Sequence, residues 1–415
     1  MQTSEVNQVR RALQIGLVMV LAGAGVLGQD SKVFREGDTW VEQVTGTLSG
    51  ARNLKLITDM GSVHVEGGSQ SEITYTIVKR VHAYSEQDAR REFETIRISA
   101  GNSGETAWIR GQSPRYSGRH DFGADFQVNV PNSIALVSAH TGGGNLAVRN
   151  IRGKLEAETG GGNVDLDNIS DDIDAQSGGG NVTVGTVGAE LKIETGGGRI
   201  HISNASGPVE AQSGGGNIEI GTCRQGAQVE TGGGSISVGN CGGDLNAQTG
   251  GGSINAGQIN GSAKLETGGG GIHLAGANGP VTAETGGGSL ELYKMTHGAK
   301  AETGSGGIIA EFIGNGIDFG DSRLESASGD IRVFLPQNLP VTVYASVDVS
   351  DGHSIHTQFD DLKVSSEEDS DGMGGPRESY CQGKLNGGGR SLHVHTTTGS
   401  IDFVRTTASA GKPHD

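Results

Sequence analysis

A Thr or Ser followed by glycine stands at positions 141, 159, 177, 195, 213, 231, 249, 267, 285 and 303, and every interval is 18 residues. A fixed short period of this kind marks a solenoid, in which each repeat is one turn of chain stacked on the last. Counting each coil from its Thr or Ser, apolar side chains fall at positions 6, 8, 11, 15 and 17. In the coil from Thr159 these are Val164, Leu166, Ile169, Ile173 and Ala175. Positions 6 and 8 flank a variable residue, as do 15 and 17. Each coil therefore holds two short strands with one buried face, and one further inward residue at position 11. The glycine triplet falls between strands, and so does a second corner such as Ser206-Gly207-Pro208. Glycine reaches backbone angles with φ > 0 that other residues avoid, so the triplet reads as a corner repeated on every coil.

The energetics require stacking. Five buried apolar side chains contribute ~1.5–3 kcal/mol each, while ordering the backbone of a coil costs about 1–2 kcal/mol per residue. One coil cannot stand alone, and parallel pairing with neighbours about 4.8 Å away must share the burial. The core columns fit this. Val209/Ala211 is followed by Ala227/Val229, Leu245/Ala247, Ala263/Leu265 and Val281/Ala283, large beside small with the order flipping at each step. Staggered bulk fills a narrow interior without overpacking it.

Position 18 points outward and is nearly constant: Glu158, Gln176, Glu194, Gln212, Glu230, Gln248, Glu266, Glu284 and Glu302. Like charges stacked at strand spacing repel, so alternating Glu with Gln spreads the charge and offers amides to bridge carboxylates. An exposed ladder along one face is expected, as a candidate contact surface.

Around the array the pattern weakens. Leu54, Leu56, Thr58, Val63 and Val65 reproduce positions 15, 17, 1, 6 and 8. Ser85-Glu86-Gln87-Asp88 reads as a helix N-cap with an acid three residues on, opening a short helix over about 85–96. Strands are expected near Ile96–Ser99 and Ala107–Arg110. The spacing thus predicts an N-terminal β-rich cap with one short helix over 29–125, a solenoid over 126–345, and C-terminal strands over 346–415. The last part includes a disordered acidic loop at about 365–378 and a loose tail. The fold class is all-β: a single-chain parallel β-solenoid, or β-helix, with 18-residue coils and a cap at each end.

Residues 1–28 read as a secretory signal: Arg10 and Arg11, an uncharged apolar run from Ala12 to Leu27, and a small-residue site before Gln29. The run is shorter than the ~20 residues a membrane span needs, so no stable span is expected after cleavage. Cleavage moves the formal charge from −17 to −18 by removing Arg10, Arg11 and Glu5. An acidic chain argues against nucleic acid as a partner.

The Leu54–Val65 segment, the Thr-Gly-Gly-Gly-Asn-Val coils, Ser328-Gly329-Asp330-Ile331-Arg332-Val333-Phe334-Leu335-Pro336 and Thr398-Gly399-Ser400-Ile401-Asp402-Phe403 together resemble the bacterial "putative adhesin" β-solenoid domain family, over roughly residues 50–405. That family is of largely unknown function. The resemblance implies a β-solenoid and attachment at a surface. This chain departs from it in having more, and more regular, coils.

No catalytic residue, cofactor or metal site is assigned from the sequence. Calcium-binding solenoids use nonapeptides with a fixed Asp, whereas position 7 here runs Asp165, Thr183, His201, Glu219, Ser237. His393 and His395 share a strand face near His353 and His356, but no third ligand is identified. Glu266, Glu284 and Glu302 supply carboxylates at one-coil and two-coil separations of ~5 and ~10 Å, overlapping those of glycosidases. No aromatic platform for sugar accompanies them, and aromatics are only 4% of the chain. Cys223 and Cys241 occupy position 11 one coil apart, so they are either buried free thiols or a disulfide. The expected function is an exported, non-enzymatic, adhesin-like binding or structural protein of the periplasm, cell surface or extracellular space, with an unknown surface polymer or protein as partner. The alternatives are a polysaccharide-active β-helix enzyme and an envelope scaffold that self-associates end to end.

Overall fold

Each coil of the array lays down two strands. In the coil from Thr159 these are Val164–Ile169 and Ile173–Ser177, and the five apolar side chains are at most 2% exposed. Every first strand pairs in parallel with the first strand of the next coil, and every second strand with the next second. Val164 faces Val182, and Ile173 faces Leu191. Two long sheets result, joined by one continuous core, and the chain is a parallel β-solenoid. The computed structural model describes residues 29–113, 123–314, 319–350, 352–367 and 378–406. The expected signal segment at 1–28, most of the expected acidic loop and the expected tail from 407 lie outside the described residues.

The core columns interlock as their sizes require. Val209, Ala227, Leu245, Ala263 and Val281 follow one another in register, and Ala211, Val229, Ala247, Leu265 and Ala283 run beside them. Each small residue sits next to a large one, both along the strand and across the coil step. Staggering of this kind fills a narrow interior without crowding two large side chains at one level.

The glycine triplet has a different cause from the one the sequence suggests. None of its glycines has a positive φ; among the described residues such glycines lie outside the array's triplets. The constraint is close approach. A Cβ on Gly160 would lie 2.1 Å from the carbonyl oxygen of Gly142, and one on Gly162 would lie 2.0 Å from that of Gly144. The middle glycine, Gly161, meets nothing within 4 Å. Two of the three glycines let successive corners stack at strand spacing, and the third stands free.

The Thr or Ser opening each coil is buried, and from Thr141 to Thr285 its hydroxyl satisfies two backbone groups. Thr195 Oγ1 donates to Gly180 O at 2.8 Å and accepts from Gly198 N at 3.3 Å. The hydroxyl thus ties one corner to the previous corner and closes its own. Thr195→Val leaves both groups unpaired in a buried setting and is expected to cost about 1–3 kcal/mol. Thr195→Ser should keep most of that stability, since Ser177 and Ser213 make the same contacts. Urea unfolding of the two variants beside the parent checks this. Asn at position 5 adds a second tie: Asn163 N donates to Asn145 Oδ1, and Asn181 N to Asn163 Oδ1, each at 2.9 Å.

Both ends depart from chain order. The coil formed by Asn53–Thr58 and Val63–Gly68 lies between two others. Asn53–Thr58 pairs with Thr106–Gln112 on one side and Leu136–Thr141 on the other. Val63–Gly68 likewise lies between Gly123–Pro131 and Leu146–Ile151. A helix, α1 (Glu86–Thr95), is N-capped by Ser85 Oγ accepting from Asp88 N, and buries Ala89 and Phe93. Buried Lys79 donates to Phe93 O near its C-terminus at 3.1 Å and pairs with Glu42 at 2.8 Å. The next strands, Arg97–Ser103 and Thr106–Gln112, form an antiparallel hairpin.

At the other end the last described strands are inner layers. Arg390–Thr398 sits between Ser322–Ser328 and Val341–Val349, parallel to both. Ile401–Thr406 sits between Ile331–Pro336 and the short Ile355–Thr357. Glu378–Leu385 and Lys363–Glu367 then continue the second sheet in antiparallel fashion. Among the described residues no helix is long and apolar enough to cross a membrane.

Candidate functional site

Position 18 is the penultimate residue of each second strand, just before its inward Thr or Ser, so strand alternation turns it outward. The nine residues form one in-register file. Glu158 faces Gln176, Gln176 faces Glu194, Glu194 faces Gln212, Gln212 faces Glu230 and Glu230 faces Gln248. The file continues through Glu266, Glu284 and Glu302.

The structure extends this file at both ends, by one more 18-residue step to His140 and, off the step, to Glu325 and His395. His140 precedes it and hydrogen-bonds Glu158 at 2.8 Å. Glu325 and His395 follow Glu302 in register, and His395 meets Ser346 Oγ at 3.0 Å. Each of the three directly precedes a buried hydroxyl residue, respectively Thr141, Ser326 and Thr396. That local signature was present in the sequence; His140 keeps the 18-residue step, and an insertion between Glu302 and Glu325 breaks it at the C-terminal end.

Charge along the file is managed in two ways. Over the first coils Gln separates successive Glu. The amides do not bridge ladder carboxylates as the sequence suggests: Gln212 donates to Glu210 at 3.1 Å and Gln248 to Asn246 at 3.3 Å, each within its own strand. From Glu266 onward the alternation stops and cations take over. Lys264 pairs with Glu266 at 2.9 Å, Lys300 with Glu284 and with Glu302 at 3.7 Å, and Arg323 with Glu325. The hydrogen bond to Glu284 raises the Lys300 pKa, and that to Glu325 raises the Arg323 pKa. Gln212 stands between Glu194 and Glu230 and donates to Glu210, and Lys192 is already paired with Glu210 at 4.0 Å. Gln212→Glu should therefore destabilise the array by about 1 kcal/mol at low ionic strength. Most of that loss should vanish near 1 M salt, where the screening length falls to about 3 Å. Thermal unfolding at the two ionic strengths reads the effect.

A trough of about 940 Å³ runs along the C-terminal half of the file. Its lining combines the position-18 side chains from Glu230 to Glu325 with the Thr-Gly backbone at coil positions 1 and 2, and it ends at His395 and Thr397. The outward column of the other sheet differs: Asp165, Thr183, His201, Glu219 and Ser237 succeed one another with no common chemistry. The two faces of the solenoid are thus unlike, one chemically uniform and one varied.

The remaining candidates are placed plainly. His393 stacks on Tyr344 at 4.9 Å between ring centroids, and His395 lies 3.5 Å from Asp348. His356 meets Ser354 Oγ at 2.8 Å. Among the described residues no three His, Cys, Asp or Glu side chains are grouped to hold a metal ion. Cys223 and Cys241 face each other in register, buried and unbonded, with their sulfurs 2.7 Å apart.

No family model matches the chain, and no curated protein does. Among solved structures it is similar to a protein of Clostridium sporogenes described as a putative cell adhesion protein, at 9% identity and a TM-score of 0.18, covering 88% of this chain and 100% of that one. It is also similar to a putative adhesin of Bacteroides fragilis, at 14% identity and a TM-score of 0.31, covering 58% of this chain and 95% of that one. A putative adhesin of Parabacteroides distasonis matches at 14% identity and a TM-score of 0.31, covering 70% of this chain and 95% of that one. Similarity at this level carries no argument about what this chain binds.

Proposed function

We propose that this chain is exported, with residues 1–28 as its leader, and that it acts without catalysis as an adhesin-like binding protein at the cell envelope or outside it. Its target is a surface polymer or protein held along the position-18 file. The observation that carries this reading is the uniform file itself: the same short polar side chains recur at each coil step beside an open trough. A repeated row favours a ligand that is itself repetitive, because many weak contacts at fixed spacing add through multivalency.

Two features weigh against the alternatives. A glycosidase needs a carboxylic acid in an apolar setting to act as general acid. Lys264 stands against Glu266, and Lys300 against both Glu284 and Glu302. End-to-end growth needs open strand edges, and the edge strand Asp30–Glu36 carries Asp30, Lys32, Arg35 and Glu36, charges that discourage edge pairing.

The test is a glycan and matrix-protein array probed with the parent and with a Glu266→Gln/Glu284→Gln/Glu302→Gln variant. Binding to a polymeric target that weakens tenfold or more in the variant supports the reading. Absence of any target, or equal binding by both proteins, defeats it. Turnover of a glycan by the parent but not by Glu284→Gln would replace it with the enzyme reading. Concentration-dependent sedimentation would favour the scaffold.

A further inference from the structure

The inward column at coil position 11 holds Ile169, Val187, Ile259 and Met295, and at two consecutive steps it holds Cys223 and Cys241. These belong to the coils from Ser213 and Thr231, the fifth and sixth of the ten that begin at Thr141. They face each other across neighbouring parallel strands, each is 1% exposed, and their sulfurs are 2.7 Å apart. Equivalent residues on paired strands have Cα atoms within the span a disulfide bridges.

We propose that Cys223 and Cys241 become a disulfide when the chain folds under oxidising conditions, stapling the two middle coils, and that the finished bond is sealed inside the core. The bond forms by thiol–disulfide exchange. A thiolate of the pair attacks one sulfur of an external disulfide, RS–SR, and expels RS⁻. The second cysteine loses its proton and attacks the resulting mixed disulfide, expelling the other RS⁻. Two protein S–H groups become one S–S bond, the oxidant is reduced to two thiols, and the two protons pass to the departing thiolates. The hydrogen bond between the two thiols lowers the pKa of one sulfur and raises that of the other, so that one of the pair supplies the thiolate for the first attack.

Place and chemistry agree. Both thiols point into the interior, so exchange belongs to the stage when neighbouring strands have paired and the opposite sheet has not yet covered them. Afterwards neither oxidant nor reductant reaches the sulfurs. The array also has a hazard of its own, because near-identical coils permit a slip by one whole coil with the apolar pattern preserved. Among the position-11 residues of the array only Cys223 and Cys241 are cysteines, so one covalent link fixes which coil follows which. It does so at the middle of the array, the joint farthest from both ends.

The experiment refolds the full chain from the reduced, denatured state in two arms, one with a glutathione/glutathione disulfide mixture and one with excess dithiothreitol. Each product is denatured and alkylated without further reduction. Of the three cysteines, the oxidised arm should show one alkylated thiol, Cys381, and a linked Cys223–Cys241 peptide. The reduced arm should show three alkylated thiols. The folded oxidised protein should keep its bond in dithiothreitol until denatured. Cys223→Ala, or Cys241→Val should the first not fold, should leave both remaining thiols open in the oxidised arm. Three open thiols in folded oxidised-arm protein, a link through Cys381, or ready reduction of the native bond would each overturn the proposal. The refolding result stands apart from export, so it holds or fails independently of the function proposed above.

Discussion

Gly216→Ala is expected to destabilise the array by about 3 kcal/mol, while Gly215→Ala, one residue earlier, leaves it unchanged or makes it slightly more stable. A Cβ on Gly216 would lie 2.1 Å from the carbonyl oxygen of Gly198 and 2.4 Å from its carbon. Both are backbone atoms held by strand pairing on either side, so neither can yield as a side chain would. Overpacking of this kind costs 1–3 kcal/mol, occasionally more, and rigid neighbours place it at the upper end. Gly215 meets nothing within 4 Å and does not have a positive φ. Alanine there mainly restricts the unfolded chain, a gain of about 0.4–1 kcal/mol. The chain contains its own control, since Ser305 already replaces the middle glycine in the coil from Thr303. Denaturant unfolding of the two variants is decisive: equal effects would mean that close approach does not govern the corner.

Deleting the chain after Asn386 should turn the folded protein into aggregate. Arg390–Thr398 and Ile401–Thr406 are sandwiched, so their loss strips a partner from Ser322–Ser328, Ile331–Pro336, Val341–Val349 and Ile355–Thr357 at once. It also removes the fully buried side chains of Leu392, Val394, Ile401 and Phe403 from the core. Open strand edges beside exposed apolar surface invite pairing between chains. Gel filtration should show aggregate, and limited proteolysis should reach the strands from Ser322 onward. Val394→Asp tests the same point within the full-length chain. Burying a carboxyl at a site 1% exposed is expected to cost roughly 3 kcal/mol or more. A truncated protein that stays monomeric with the parent's unfolding midpoint would show that these strands are dispensable.

The array was legible because its information is local and repeated. An inward position is marked by Val, Ile, Leu or Ala in coil after coil, so Val209 and Val229 could be placed in the core from spacing alone, and both are buried. The ends were less legible. That Leu54 lies beside both Ala107 and Val137 depends on which strand edges meet across long loops, and no short-range pattern records that choice. The glycine triplet was visible, but its cause was not, since close approach is a relation between two coils and φ a property of one. The file at position 18 was read through nine residues. One regular step earlier the residue type changes to His140, and at Glu325 and His395 the step itself changes while the local cue, an outward polar residue before an inward hydroxyl, persists.

The sandwiched final coil has a mechanical consequence. A pull along the strand at Thr406 loads Ile401–Thr406 against Ile331–Pro336 and Ile355–Thr357 together. The hydrogen bonds on its two flanks then resist in shear and yield collectively, whereas an outermost strand would peel away one bond at a time. The molecule should tolerate tension at this end better than a solenoid whose last coil is merely its top layer.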